Sequence, residues 1–157
     1  MEVLILCSGN IVRSPFAEGL LRKILGDIGV KDVLVSSAGT LGIEGQPADP
    51  ESVRLARERG FDLRAHRSRG LQMRDVSRAD LIVCMEASHA RRVKQIDPSA
   101  ASRVKLLTEF ETESERAPSA DVIDPIGGDR EAFRSCFELI ERCIVNLAFN
   151  LKYRYVP

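Results

Sequence analysis

The chain has 157 residues, of which 44% are hydrophobic and 29% charged, a composition typical of one soluble domain with a sizeable buried core. Its 23 Lys and Arg residues balance 23 Asp and Glu residues, so bulk charge favours neither nucleic acid nor a membrane as partner. Four cysteines without a C-x-x-C pair, together with two histidines, predict neither a disulfide framework nor a zinc site. We therefore expect a single domain over residues 1–157, located in the cytoplasm, with no targeting segment.

Short apolar runs alternate with helical patterns along the chain. This alternation predicts right-handed βαβ units and a parallel sheet. We expect an α/β protein with a three-layer flavodoxin-like fold, in which a four-stranded parallel sheet has the strand order 2-1-3-4. Ligands of such sheets bind beyond the carboxyl ends of the strands. The predicted strands are residues 3–7, 33–37, 80–85 and 104–107, and the predicted helices are residues 14–25, 49–59, 71–78, 87–95 and 130–151.

The loop after the first predicted strand has an unusual sequence, C-S-G-N-I-V-R-S-P, over residues 7–15. Gly9 and Asn10 enter the left-handed backbone region at low cost, so this loop can turn successive N–H groups inward around an anion. Ser14 and Pro15 are typical of a helix N-cap and of the first helical residue. The positive end of that helix would then face the same anion.

The spacing Cys-x5-Arg within this loop is not specific by itself. Cys136 and Arg142 repeat it inside the last predicted helix, with no glycine and with two glutamates between them. We therefore interpret Cys136 and Cys143 as core residues. In the loop, by contrast, Arg13 offers a planar guanidinium for two phosphate oxygens. The positive surroundings predict that Cys7 is a thiolate and a nucleophile at neutral pH.

On these residues the chain resembles the low-molecular-weight protein tyrosine phosphatases, a family with C-x-G-N-x-C-R-S-P at its start and a late Asp-Pro. Further motifs follow in the family's order over nearly the whole length: S-S-A-G-T, G-Q-P-A-D-P, A-H-R-S-R, A-D-L-I-V-C-M-E-A-S-H and D-P-I-G-G. The resemblance implies a phosphatase that uses a phosphocysteine intermediate and needs neither a metal nor another cofactor.

The resemblance also implies a role for each loop residue. Cys7 would attack the phosphoryl group, Arg13 would stabilise its oxygens, and the Ser14 hydroxyl would help the sulfur to leave the intermediate. Ser37 and His66 would support the loop from outside it. The residues implied to bind the substrate are Ser8, Gly9, Asn10, Ile11, Val12 and Ser14.

The general acid has to be chosen among three Asp-Pro pairs. Asp97 follows a predicted helix and precedes a strand, which places it at the wrong edge of the sheet. Asp49 is at the correct edge but is typical of a helix N-cap with Pro at the first position. Asp124 lies in the long connection after strand 4, also at the correct edge. We therefore expect Asp124 to be the general acid and base, with Asp121 as a distant second.

Three positions depart from the family pattern. Val12 replaces a second loop cysteine, so no vicinal disulfide can protect Cys7, and we expect its oxidation to reach the sulfinic acid more readily. Ile126 and residues 41–43 lie where some members carry aromatic residues, which predicts aliphatic walls around the substrate. Cys84 is interpreted as a core residue rather than as a partner for oxidised Cys7.

The resemblance favours phosphotyrosine in a protein as the substrate, and it points weakly to bacterial tyrosine kinases of polysaccharide export as partners. Three alternatives stay open. Phosphoarginine phosphatases use the same scaffold, but such members tend to carry Thr where Ile11 stands. Arsenate reductases need two further redox cysteines near the third strand, where only Cys84 lies. A phosphocarrier domain of similar fold lacks the equivalents of Arg13 and Asp124.

Overall fold

The computed structural model describes residues 1–116 and 118–154. All the strand pairs in its four-stranded sheet are parallel, and the strand order is β2-β1-β3-β4. The predicted fold class and strand order are therefore confirmed. The strands are β1 (Glu2–Cys7), β2 (Leu34–Gly39), β3 (Leu81–Cys84) and β4 (Val104–Leu106), and the helices are α1 (Arg13–Asp27), α2 (Pro50–Glu58), α3 (Met73–Arg78), α4 (Ala87–Ile96) and α5 (Arg130–Arg154).

The sheet separates two apolar cores, because successive side chains of a strand point to opposite faces. On one face, Ile5 and Cys7 pack with residues of α1, α2 and α5. Phe16 of α1 and Phe137 of α5 stack there with ring centroids 4.1 Å apart. On the other face, Leu6 packs with residues of α3 and α4. The central strand β1 is thus buried on both sides, and both of its neighbours pair with it near its carboxyl end.

The start of α1 differs from the prediction by one residue. The helix begins at Arg13, its N-cap is Val12, and no side chain caps it. Ser14 is therefore not the N-cap, because its hydroxyl is bonded to the Cys7 sulfur instead. At α2 the prediction is confirmed, since Asp49 is the N-cap and accepts a hydrogen bond from the Glu51 N–H at 2.8 Å.

Within residues 1–116 and 118–154, no helix combines the length and the apolar character needed to cross a bilayer.

Candidate active site

Cys7 lies at the carboxyl end of the central strand and begins the loop to α1. Its Sγ lies 3.0 Å from the Ser14 Oγ and accepts the Asn10 backbone N–H at 3.2 Å. Asn10 has a φ of 56°, the left-handed conformation that the sequence predicts for this loop. The chain thereby folds back over the sulfur, and two hydrogen-bond groups converge on it.

The loop leaves several backbone N–H groups available to a ligand. In the described part of the chain, the N–H groups of Ser8, Gly9, Ile11 and Val12 have no intramolecular acceptor. Helix α1 starts at Arg13, so the positive end of its dipole also meets the loop. Such a ring of donors at a helix N-terminus suits a phosphate-sized anion. The Val12 side chain is buried in the core, so only its backbone can face this anion.

A buried network fixes Asn10, the residue on which the loop conformation depends. Its Nδ2 donates to the Ser14 Oγ at 2.9 Å and to the Ser37 Oγ at 2.8 Å. Its Oδ1 accepts the Arg69 backbone N–H at 3.0 Å. The Nε2 of His66 lies 2.7 Å from the Asn10 carbonyl oxygen, which can only accept. Ser37 and His66, predicted from the sequence as loop-supporting residues, both contact Asn10.

The end of β2 passes so close to the loop that only glycine fits there. A Cβ at Gly39 would lie 2.7 Å from the Ser8 carbonyl oxygen and 3.0 Å from the Asn10 nitrogen. Beyond it, the N–H groups of Thr40 and Leu41 donate to the carbonyl oxygens of Cys7 and Ser8, each at 3.0 Å. The S-S-A-G-T motif therefore supplies both a polar support, Ser37, and the clearance that the loop requires.

Arg13 is only 1% exposed, and its guanidinium holds the loop against the neighbouring strand and connection. Nη1 donates to Glu86 and, at 2.7 Å, to the Val122 carbonyl oxygen. Nη2 donates to the Asp124 Oδ2 at 2.9 Å and to the Ser8 Oγ at 3.3 Å. Although partial burial opposes the effect, the Arg13 guanidinium lowers the pKa of Glu86. The arginine is thus aimed at the loop by two carboxylates.

Among the candidate acids, Asp124 alone is bonded to Arg13. Asp121 instead accepts the Ala87 backbone N–H at 2.8 Å, at the start of α4. Asp97 accepts the Ser99 N–H at 2.9 Å in a short 3-10 turn before β4. Together with the helix-capping role of Asp49, these contacts leave Asp124 as the carboxylate at the mouth of the loop.

Aliphatic side chains lie beside the loop, in the region where the sequence predicts aliphatic walls. A Cβ added to Gly9 would lie 3.7 Å from the Cδ1 atom of Ile11 and 3.7 Å from that of Ile43, so both side chains lie beside the loop. Leu41 is 68% exposed and Ile126 is 60% exposed, which makes these two side chains accessible to a docking partner. Apolar walls above a polar anion cradle suit a phosphate group carried on an apolar substituent.

Sequence reasoning missed three partners of the site. Glu86 binds the Arg13 side chain, Val122 offers it a carbonyl oxygen, and His89 contacts the Ser8 hydroxyl at 2.9 Å. A signal for two of them was present. Glu86 and His89 follow β3, the strand paired with β1, and parallel strands place the residues after their carboxyl ends side by side.

The other three cysteines lie in the cores, and of these Cys136 is near enough to the site for the charges of Arg13 and Asp124 to act on its thiol. Cys84 packs on the opposite face of the sheet from Cys7, with Leu6, so it cannot reach the loop sulfur. Burial raises the pKa of Cys84, Cys136 and Cys143 to about 12, so all three remain thiols at neutral pH. Across residues 1–116 and 118–154, no three His, Cys, Asp or Glu side chains come together as a candidate metal site.

Comparisons with known proteins agree with this geometry. The model of the family "Low molecular weight phosphotyrosine protein phosphatase" matches residues 2–155. A low molecular weight protein-tyrosine-phosphatase of Streptomyces coelicolor is 35% identical, with 93% of this chain and 90% of that protein covered.

Two solved structures are similar over nearly the whole chain. A low molecular weight protein tyrosine phosphatase from T. tengcongensis has a TM-score of 0.85 and 35% identity, with 96% of this chain and 99% of that chain covered. The YwlE arginine phosphatase from Geobacillus stearothermophilus has a TM-score of 0.82 and 28% identity, with 96% and 92% covered.

Proposed function

The chain belongs to the low molecular weight phosphotyrosine protein phosphatase family, and on this premise we propose that it hydrolyses phosphotyrosine in proteins through Cys7, Arg13 and Asp124. The observation that carries the proposal is the pair of hydrogen bonds on the Cys7 sulfur, from the Asn10 N–H and with the Ser14 hydroxyl, at the base of a loop lined by backbone donors. A sulfur so placed is positioned as a nucleophile, and the loop above it suits a phosphoryl group.

In the first step the Cys7 thiolate attacks phosphorus, an S–P bond forms, and the P–O bond to the leaving group breaks. Arg13 and the loop N–H groups stabilise the equatorial oxygens as charge spreads over them in the transition state. Asp124, as the general acid, transfers a proton to the leaving oxygen. The products are a tyrosine hydroxyl and phosphocysteine.

In the second step water attacks the phosphocysteine. Asp124, now a carboxylate, takes a proton from that water while the S–P bond breaks and inorganic phosphate is released. The departing sulfur regains the two hydrogen bonds from Asn10 and Ser14, which stabilise it as a leaving group. Asp124 regains the proton that it gave in the first step and Cys7 is again a thiolate, so the enzyme returns to its starting state.

Hydrolysis of p-nitrophenyl phosphate in excess chelator tests the nucleophile. We expect wild type to turn over and Cys7→Ser to be inactive. The matched variant Cys143→Ser, which alters a buried thiol of α5 whose charged neighbours are Glu111, Glu115 and Arg142, should keep kcat/KM within about threefold of wild type. Turnover by Cys7→Ser would overturn the assignment. A wild type that takes up phosphate on Cys7 without hydrolysis would instead identify a phosphocarrier.

A second candidate is protein phosphoarginine hydrolysis, favoured by the similarity to the arginine phosphatase YwlE. The aliphatic rim at Ile11 and Ile43 argues for the aromatic substrate, since a guanidinium would find no acceptor on those side chains. Comparing kcat/KM for a phosphotyrosyl and a phosphoarginyl peptide of the same sequence decides between the two. We expect at least tenfold preference for phosphotyrosine, and the opposite preference would favour the second candidate.

The cellular partner follows from the substrate. We propose a tyrosine-phosphorylated protein, with a bacterial tyrosine kinase as the kind of partner indicated by the sequence resemblance. The exposed Leu41 and Ile126 at the rim are available to contact residues around the phosphotyrosine. Replacing both with Ser should raise KM for a phosphotyrosyl protein more than for p-nitrophenyl phosphate, because the small substrate makes no contact beyond its ring.

A further inference from the structure

His89 is a buried histidine that joins helix α4 to the anion loop. It is 2% exposed and lies in the first turn of the helix. Its Nδ1 lies 3.1 Å from the Glu86 backbone nitrogen, and its Nε2 lies 2.9 Å from the Ser8 Oγ. The ring therefore bridges the end of β3 and the first residue after Cys7.

The first of these contacts fixes the proton on the ring. The Glu86 backbone N–H can only donate, so the Nδ1 of His89 must be the unprotonated acceptor. A neutral imidazole then carries its proton on Nε2, which donates to the Ser8 oxygen. Burial lowers the pKa of His89, which supports the neutral form at neutral pH.

The second contact determines what the Ser8 hydroxyl can do. A hydroxyl oxygen accepts two hydrogen bonds and donates one. The Ser8 Oγ accepts from the Nε2 of His89 and from the Nη2 of Arg13 at 3.3 Å, so both acceptor positions are occupied. No acceptor for the Ser8 proton is found in the described part of the chain, and the residue is only half-buried. The proton is left for a ligand.

We propose that His89 is a positioning residue that holds the Ser8 hydroxyl as a hydrogen-bond donor to the phosphoryl group bound in the loop. This inference rests on the proposed phosphatase function and adds a side-chain donor to the backbone N–H groups of the cradle. Without His89, one acceptor position of the Ser8 oxygen is free and the hydroxyl can rotate. Its O–H bond is then no longer held towards the bound phosphoryl group. The loss should fall on phosphoryl binding in the transition state.

Two substitutions separate this role from that of capping the helix. In His89→Asn, the amide oxygen can still accept the Glu86 N–H, but the side chain is too short to reach Ser8. In His89→Gln, the amide NH2 can reach Ser8 in place of Nε2. If His89 acts through Ser8, we expect kcat/KM to fall about tenfold in His89→Asn and much less in His89→Gln. If His89 only capped the helix, kcat/KM would fall more in His89→Gln than in His89→Asn.

A double-mutant cycle with Ser8→Ala tests whether the effect passes through Ser8. We expect His89→Asn to lower kcat/KM about tenfold with Ser8 present and less than twofold in the Ser8→Ala background. The control is Val93→Ala, which opens space under the same face of α4 and should lower the melting temperature with kcat/KM unchanged. Equal effects of His89→Asn in both backgrounds would overturn the proposal.

A measurement independent of turnover checks the proton on the ring. Long-range 15N–1H NMR correlations of uniformly labelled protein distinguish an imidazole protonated on Nε2 from one protonated on Nδ1. We expect the Nε2–H form for His89 at pH 7, and the Nδ1–H form would overturn the inference. A wild type that shows the Nε2–H form but hydrolyses no phosphate ester would contradict the proposed function instead.

Discussion

Two segments of this chain share the spacing Cys-x5-Arg but differ in backbone conformation and in the surroundings of the arginine. In the first, Cys7 ends a buried strand, the backbone turns through a left-handed Asn10, and Arg13 is buried among polar partners. In the second, the residues lie on consecutive turns of helix α5. There Cys136 packs into the core, and the half-exposed Arg142 lies 3.7 Å from the Glu111 carboxylate.

The difference indicates that backbone conformation, rather than spacing, decides which of the two segments is suited to bind an anion. A helix uses its own N–H groups for internal hydrogen bonds, so the segment around Cys136 has no donors to offer a phosphate. The loop after Cys7 leaves its N–H groups unpaired and adds the N-terminus of α1. Burial also raises the pKa of Cys136 to about 12, which removes it as a nucleophile.

The two arginines give the largest expected contrast. Arg13→Ala removes a guanidinium directed at the loop, and we expect kcat/KM for p-nitrophenyl phosphate to fall by about 10³-fold or more. Arg142→Ala removes a half-exposed ion pair and should change kcat/KM by less than twofold. Steady-state kinetics of the two variants side by side measures the contrast, and a similar loss in both would show that the loop has no special role.

Asp124 is compared best with its neighbour Asp121, since both carboxylates lie in the same connection. Asp124→Asn removes the proposed acid, and we expect kcat for phenyl phosphate, which has a poor leaving group, to fall about 10²-fold or more. The loss should be smaller for p-nitrophenyl phosphate, whose leaving group needs less protonation. Asp121→Asn keeps an oxygen for the Ala87 N–H and should leave both rates within about threefold. A larger loss in Asp121→Asn would reverse the assignment.

Asn10 tests the backbone of the loop separately from its polar support. Asn10→Gly retains access to the φ of 56° but loses the bonds to Ser14 and Ser37. Asn10→Ala loses these bonds and adds left-handed strain of about 1 kcal/mol or more. We expect kcat/KM to fall about tenfold in Asn10→Gly and further in Asn10→Ala, with melting temperatures in the same order. Equal activity in both variants would mean that the left-handed backbone conformation at residue 10 makes no difference to activity.

The smallest expected effect is a pH dependence of stability due to His89. Burial lowers its pKa, against the opposing charges of Glu86, Asp121 and Asp124 and with the help of Arg13. The unfolded chain, whose His pKa is about 6.5, therefore binds a proton that the folded chain does not, and stability is lost as pH falls below that value. We expect the advantage of wild type over His89→Gln in free energy of unfolding to shrink between pH 8 and pH 5, as measured by urea denaturation. If the difference between the two proteins did not change with pH, His89 would have the same pKa in the folded and the unfolded chain, which would contradict the prediction.

The sequence predicted the elements that depend on local pattern. Apolar runs bounded by polar turns located all four strands, although β2 continues to Gly39, two residues beyond the predicted end. The extension is needed because Gly39 pairs beside Cys7 in the sheet and gives the loop its clearance. Neither feature follows from hydrophobic periodicity, because a glycine has no side chain to contribute to that pattern.

Residue patterns alone did not predict the contacts between distant residues, and the family resemblance supplied only some of them. The pattern Ser-Pro predicted Ser14 as an N-cap, which is wrong, whereas the family resemblance implied that the Ser14 hydroxyl acts on the Cys7 sulfur, and the two atoms lie 3.0 Å apart. The partners of Arg13 come from positions 86 and 122–124, which meet only after β1 and β3 pair. A segment such as A-D-L-I-V-C-M-E-A-S-H indicates a buried strand, but it does not reveal which neighbour its last polar residues will contact.

Direct detection of the phosphorylated intermediate tests the central claim. Wild type, Cys7→Ser and Cys136→Ser are each mixed with a phosphotyrosyl peptide, quenched within milliseconds and digested, and the phosphorylated peptide is identified by mass spectrometry. The account predicts phosphate on Cys7 in wild type and in Cys136→Ser, with no phosphocysteine in Cys7→Ser. Phosphate on another residue, or full turnover by a protein that never carries phosphate on Cys7, would contradict it.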